Sequence, residues 1–177
     1  IIIPLLAPLL LDPSVGLLPG ADLAARTLML GLMVSIYPLA QFFGAPILGG
    51  LSDRSGRKKV LIISLAGTML GYIVFAIGIL ANNIWLLLLS RALAGFTGGN
   101  ISIAFSAIAD ISDEKTKAAN FGLLGMAFGF GFIIGPFIGG KLADPSIVSW
   151  FDFATPFWFA ALLSLLNILL VIKLFRE

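Results

Sequence analysis

The sequence predicts an all-α membrane protein, a bundle of six transmembrane helices, on three observations. Its 177 residues are 59% hydrophobic and 11% charged, with a mean hydropathy of +1.09. Soluble domains run at roughly 45–50% apolar and about 25% charged residues. The apolar residues gather into long runs without any charge, and most basic residues fall in the short stretches between alternate runs. The runs are continuous, whereas the strands of a membrane barrel alternate with period two.

A membrane crossing needs about 20 predominantly apolar residues at 1.5 Å each to cover roughly 30 Å of hydrocarbon. The chain opens inside such a run, IIIPLLAPLLL. It reads as the end of a first span, clipped at its start and finishing near Leu11. It lacks the basic region and cleavage site of a signal peptide. The second span is predicted over 27–52. The run 60–90 is too long for one crossing, and Asn82-Asn83 divides it with a turn signal. That places span three at 60–81 and span four at 84–108. Spans five and six follow at 118–140 and 153–172.

Charge sets the expected orientation. Arg54, Arg57, Lys58, Lys59, Lys115, Lys117, Lys173 and Arg176 lie on one side of these crossings, and only Arg26 and Lys141 on the other. The bias assigns the loops at 53–59 and 110–118, and the C-terminal tail, to the cytoplasm of a cell whose cytoplasmic membrane holds the protein.

The chain has no Cys and no His, so disulfides, thiolate chemistry and histidine ligands or bases are excluded. No metal site and no cofactor is indicated. A net charge of +2 gives no argument for nucleic acid. An intramembrane enzyme would need paired acids or a nucleophile with its base at depth, whereas the spans offer lone Ser, Thr, Asn and Arg91. The sequence therefore reads as a non-enzyme. GPFIGGK (135–141) opens like a phosphate-binding loop, but Leu142 stands where Ser or Thr is required and no strand precedes it.

An internal echo suggests a repeat. PILGGLSDRS (46–55) resembles PFIGGKLADPS (136–146), ninety positions later, once at the basic side and once at the other. Two inverted three-helix units would produce it, and such repeats build secondary transporters.

Four stretches carry more specific chemistry. The loop after span two reads GGLSDRSGRKKV (49–60). Gly49 would let a helix approach closely and Gly56 would permit a tight reversal. Asp53 could face the positive end of another helix. Arg91 lies inside span four, where a cation costs about 2.5–3.5 kcal/mol on insertion scales, so it needs a partner or a wet cavity. Gly95 follows four residues later. Span five reads GLLGMAFGFGFIIGPFIGG, in which Gly122, Gly125 and Gly129 share one face and Gly131, Gly135 and Gly139 the opposite one, so that neighbours could grip it on both sides. Pro136 removes one helical hydrogen bond there. Tyr37, Gln41, Asn100 and Asn167 are the polar side chains within spans that could line a substrate pocket.

These stretches resemble the major facilitator superfamily. The 49–58 segment matches its G-x-L-a-D-R-x-G-R-K loop at Gly49, Leu51, Asp53, Arg54, Gly56, Arg57 and Lys58. Span five matches G-x8-G-x3-G-P-x2-G-G at Gly122, Gly131, Gly135, Pro136, Gly139 and Gly140, the antiporter string of the twelve-span drug:proton family that includes tetracycline exporters. The chain departs from the tetracycline group at Gly71, beside Tyr72, where those proteins carry an acid. It also spaces Pro4 and Pro8 one residue wider than the commoner P-x-x-P.

The resemblance implies that 1–177 is an N-terminal six-helix half whose C-terminal half is absent. It implies export of a small amphipathic compound in exchange for protons, with a nutrient symporter or facilitator as the alternative. It implies that the 49–58 loop steadies one access state, with Arg57 paired to Asp110, and that Arg91 and Gly95 serve proton coupling. The partners so implied are a small-molecule substrate, protons, the bilayer and the missing half.

Overall fold

A computed structural model describes residues 3–15 and 17–175. Arg176 of the basic group lies outside them. The described residues are helical: α1 (Ile3–Leu11), α2 (Leu23–Ser55), α3 (Arg57–Leu80), α4 (Ile84–Thr97), α5 (Ile101–Asp110), α6 (Lys117–Leu142) and α7 (Thr155–Leu174). Short 3₁₀ turns cover Pro13–Val15 and Gly98–Asn100. α4, the second of these turns and α5 form one crossing over Ile84–Asp110. With α2, α3, α6 and α7, that gives 5 helical segments long and apolar enough to span a membrane. Five of the six expected spans are therefore present, and α1, at 9 residues, is too short to count as the sixth.

The helix boundaries follow from side-chain chemistry. Asp22 accepts from the amide of Ala25 at 2.8 Å and starts α2. Asn83 accepts from Trp85 and Leu86 and starts α4, which is what the Asn82-Asn83 signal anticipates. Asp113-x-x-Thr116 precedes α6 and Asp152-x-x-Thr155 precedes α7, with the same geometry. Each carboxylate accepts from the amide and hydroxyl of the Thr three residues on, and each Asp amide donates back to that hydroxyl. Such reciprocal bonds satisfy amides that a helix start leaves unpaired.

Span two begins earlier than its charge-free run suggests, so that Arg26 lies inside α2 and is buried. Its guanidinium turns back onto main-chain carbonyls, reaching Leu18 at 2.7 Å, Ala21 at 3.1 Å and Leu10 at 3.1 Å. Those acceptors replace the water that a charge at this place would otherwise need.

α3 packs against α4 and α7, α2 against α4 and α1, and α6 against α5, α7 and α1. The main core joins Leu6, Leu9 and Leu10 of α1 to Met33, Phe75, Leu87 and Phe157, toward the end away from the basic loops. Phe75 and Phe157 stack with centroids 4.1 Å apart. A smaller cluster of Leu48, Val60 and Ile103 lies toward the basic end.

Candidate functional site

At the basic end, α2 and α3 meet in a reversal one residue long. Gly56 holds φ at +93°, a conformation L side chains rarely adopt, and this makes glycine the fitting residue there. The reversal brings Arg57 against two acids from different helices. Its NH1 donates to Asp53 Oδ1 at 2.8 Å and to Ser52 Oγ at 3.3 Å, and its Nε bonds Asp110 at the end of α5. Lys58 donates to the carbonyl of Ile172 at 2.8 Å, which ties the same reversal to the last turn of α7. Ser52, Asp53, Gly56, Arg57 and Asp110, with Ala107, Ile111 and Phe175, line a groove of about 590 Å³.

Asp53 thus pairs with the side chain of Arg57, the first residue of α3. Arg54 is exposed. At Gly49 an added Cβ would meet only Ser102 Oγ at 3.6 Å, an ordinary contact, so close packing does not require glycine there.

Deeper in the bundle, Arg91 is buried with its guanidinium carbon 4.5 Å from the centre of the Tyr37 ring. Its Nε donates to the Met33 carbonyl at 3.2 Å. Both partners belong to α2. A carbonyl and an aromatic face therefore serve as the partner that its depth requires. The acids in α2 and α5, Asp53 and Asp110, stand in their last turns, far from this depth.

Gly95 lies one turn further along α4, and a Cβ there would run into the backbone of Tyr37. Arg91 and Gly95 are thus two parts of one contact between α4 and α2. Gly44 and Gly99 continue it: a Cβ on Gly44 would overlap the Phe96 carbonyl, and one on Gly99 would come 2.5 Å from the Ala45 amide.

The 3₁₀ turn at Gly98-Gly99-Asn100 was not anticipated, although two glycines followed by Asn inside a span give a signal for it. Gln41 donates to the Gly98 carbonyl at 3.0 Å, and Ser102 Oγ bonds the Gly99 carbonyl at 2.8 Å. Both serve carbonyls of the interrupted ladder. Gln41 also lines a groove of about 460 Å³ with Pro38, Phe42, Ala45, Gly99, Ile101 and Ser102. Of the four pocket candidates, the structure brings Tyr37, Gln41 and Asn100 into this region. Asn167 is on α7, exposed and apart from it.

The span five string behaves differently. Added Cβ atoms at Gly122, Gly125, Gly129, Gly131 and Gly140 would meet nothing within 4 Å, and Gly139 is the buried residue of α6. No close grip on either glycine face is formed by the described residues at those five positions. α6 instead touches α5 through aromatic rings, Phe105 lying 5.8 Å from Phe121 and 6.3 Å from Phe128. Pro136 sits within the helix.

A bundle of membrane-length helices with a charged reversal at one end, a buried arginine clasp and an open glycine face is that of an integral membrane protein. The sequence profile of the Major Facilitator Superfamily matches residues 1–177, and the chain belongs to that family. It is 41% identical over 147 residues to the class B tetracycline resistance protein of Escherichia coli, covering 83% of this chain and 34% of that one. It is 39% identical over 147 residues to the class H protein of Pasteurella multocida, with the same coverage. The quinolone resistance protein NorA of Staphylococcus aureus is 34% identical over 157 residues, 88% of this chain and 38% of that one. The chain thus spans about a third of the length of the relatives it matches.

Proposed function

We infer that this chain is the N-terminal six-helix half of a proton-coupled exporter of small amphipathic compounds, working by alternating access in the cytoplasmic membrane. The observation that carries the reading is the six-position glycine and proline string on α6, in a chain similar to tetracycline and quinolone resistance proteins. Nutrient carriers of the superfamily share the 49–58 loop but usually lack that string. In this reading the open face of α6 receives a second six-helix half, and the basic end faces the cytoplasm. Arg57, held between Asp53 and Asp110, steadies one access state. Arg91 holds α2 and α4 together beside the groove at Gln41. The chain carries out transport and no bond-making chemistry. The driving force is then about 2.3 kcal/mol per charge per 100 mV, plus about 1.4 kcal/mol per pH unit.

The test reconstitutes the full chain in vesicles with an imposed pH gradient and follows a fluorescent amphipathic cation. Accumulation against its gradient should appear and should collapse when a protonophore is added. Equilibration of a sugar with no response to the proton gradient would replace this reading with a facilitator.

A further inference from the structure

The α6–α7 connection has an exposed apolar surface that the transport reading does not use. Trp150 is 71% exposed and Ile147 47%, and Trp150 packs edge-on against Phe151 with centroids 4.7 Å apart. A flexible polar loop would account for neither. The ends of this loop are fixed, because Ala143, Phe153 and Ala154 pack into the main core.

Several of its amides are also paired within the loop. The amide of Ser146 donates to Asp144 Oδ1 at 2.9 Å, and that of Ile147 to the Asp144 carbonyl at 3.2 Å. The Phe151 amide donates to the Val148 carbonyl at 2.9 Å, and those of Ala154 and Thr155 to Asp152 Oδ1 at 2.9 Å each. With these amides paired, the loop loses less on entering the partly hydrated headgroup layer than an open loop would.

Position decides which layer that is. α6 ends at Leu142 and α7 begins at Thr155, so the loop stands where two spans leave the hydrocarbon, at the end away from the basic reversal. The other two tryptophans occupy the same end. Trp85 lies in the first turn of α4 and is 73% exposed, and Trp158 lies in the first turn of α7 and is 44% exposed. With 3 Trp in the sequence, all are at this end and none at the other. Lys141, exposed in the last turn of α6, adds a cation at the same level. Amphipathic rings of this kind concentrate at the membrane–water interface.

We propose that residues 143–154 form a membrane-surface anchor, which seats Ile147 and Trp150 at the headgroup–acyl boundary of the leaflet opposite the basic loops. The occupant of this surface is the bilayer itself, continuous with the lipid around the spans. The consequence falls on α6. Its glycine positions meet little of this chain, so an anchored loop fixes the depth of its outer end while its face stays open.

The experiment keeps Trp150 and replaces every other tryptophan of the full chain with Phe. The protein is then placed in phosphatidylcholine vesicles brominated either near the headgroup or at the acyl centre. Shallow bromines should quench Trp150 at least about twofold more than central ones, with weak quenching by aqueous acrylamide. Strong acrylamide quenching without lipid quenching would place the loop in water. Quenching by neither would mean that protein covers it. Either result overturns the anchor. If the tryptophan replacements prevent folding, a spin label on W150C, in a segment with no native Cys, reads the same depth. Collisions with oxygen should exceed those with an aqueous nickel chelate, and the reverse order would be decisive against lipid contact.

Discussion

The crossing of α2 with α4 and the helix α6 are both glycine-rich, yet the glycines of the two do opposite things. At the crossing, Gly44 of α2, Gly95 of α4 and Gly99 of the 3₁₀ turn lie so close to a neighbouring backbone that a single added carbon would overlap it. On α6, five glycines face empty space. The residue type is the same, and what differs is whether the partner is present. Close helix approach in a membrane depends on small residues at the crossing, because lipid supplies no hydrophobic drive to bring helices together. The tight crossing is therefore complete among the described residues, whereas the α6 string is left open, as the proposed reading of a second half requires.

The largest effect is expected where that contrast is sharpest. Gly44→Ala forces a methyl against the Phe96 carbonyl, and overpacking of this kind costs about 1–3 kcal/mol. Yield and melting temperature of the full chain should both fall. Gly122→Ala should leave them nearly unchanged, since the methyl enters open space, and Gly122→Leu should slow export with the fold intact. Equal losses of stability from Gly44→Ala and Gly122→Ala would show that α6 is packed as tightly as α2.

Next comes the clasp beside the tight crossing. Arg91→Ala removes a contact to the Tyr37 ring of about 0.5–2 kcal/mol and leaves the Met33 carbonyl buried without that donor, at about 1–3 kcal/mol. Uphill export should be lost, with some loss of stability. Arg91→Lys keeps the charge and loses the planar fork, so impairment should be intermediate. Tyr37→Phe retains the ring and should be nearly silent, while Tyr37→Leu should resemble Arg91→Ala. If Tyr37→Leu exports normally, the ring contact plays no part.

The charged reversal should show a smaller change in stability. The side chains of Asp53 and Asp110 are 64% and 55% exposed, so water screens each pair and holds it to about 0.2–1 kcal/mol. Arg57→Asp should nevertheless reduce export about tenfold, since a bias of only ~1.4 kcal/mol between access states is tenfold in their ratio. Arg57→Asp with Asp110→Arg should recover part of it. Normal export by both single variants would remove this contact from the switching device.

Much of this was legible in the sequence, for reasons that differ from residue to residue. Spans are written in hydropathy, and breaks such as Asn82-Asn83 in turn chemistry, because both depend on neighbours along the chain. The Arg57 to Asp110 contact could be anticipated only through a family resemblance, since its partners are 53 residues apart. Arg26 broke the expected boundary because its carbonyl acceptors come from the preceding helix and loop, which a count of charges cannot register. The identity of the Arg91 partner was hidden in a similar way. Depth required a partner, and only the crossing of α4 over α2 decided that a carbonyl and a ring would serve. The α6 glycines were legible as a pattern and illegible as a contact, because among the described residues nothing stands within 4 Å of an added Cβ at five of them.

The smallest effect should separate α6 from α7, whose starts have the same Asp-x-x-Thr turn but unequal packing. α7 is held along α3 by the Phe75–Phe157 stack and by Lys58 at its far end, so Asp152→Asn should change exchange at its first amides little. The start of α6 has a looser ring contact, Phe105 with Phe121, and one side-chain bond from Asn120 to Ser112. It leans more on its local turn, so Asp113→Asn should speed hydrogen exchange over 114–120 more than Asp152→Asn speeds it over 153–159. The pH dependence has a definite sign. Bonds from the Thr116 hydroxyl and amide hold the Asp113 carboxyl below its ordinary value of 3.8. The contribution of the charged form is therefore complete above that value and is lost as pH falls through the lowered one. Between neutral pH and about 5, protection at the start of α6 should be flat once intrinsic exchange is corrected for, and it should fall only in stronger acid. A loss of protection already centred near pH 6 would mean that some other group governs the start of α6.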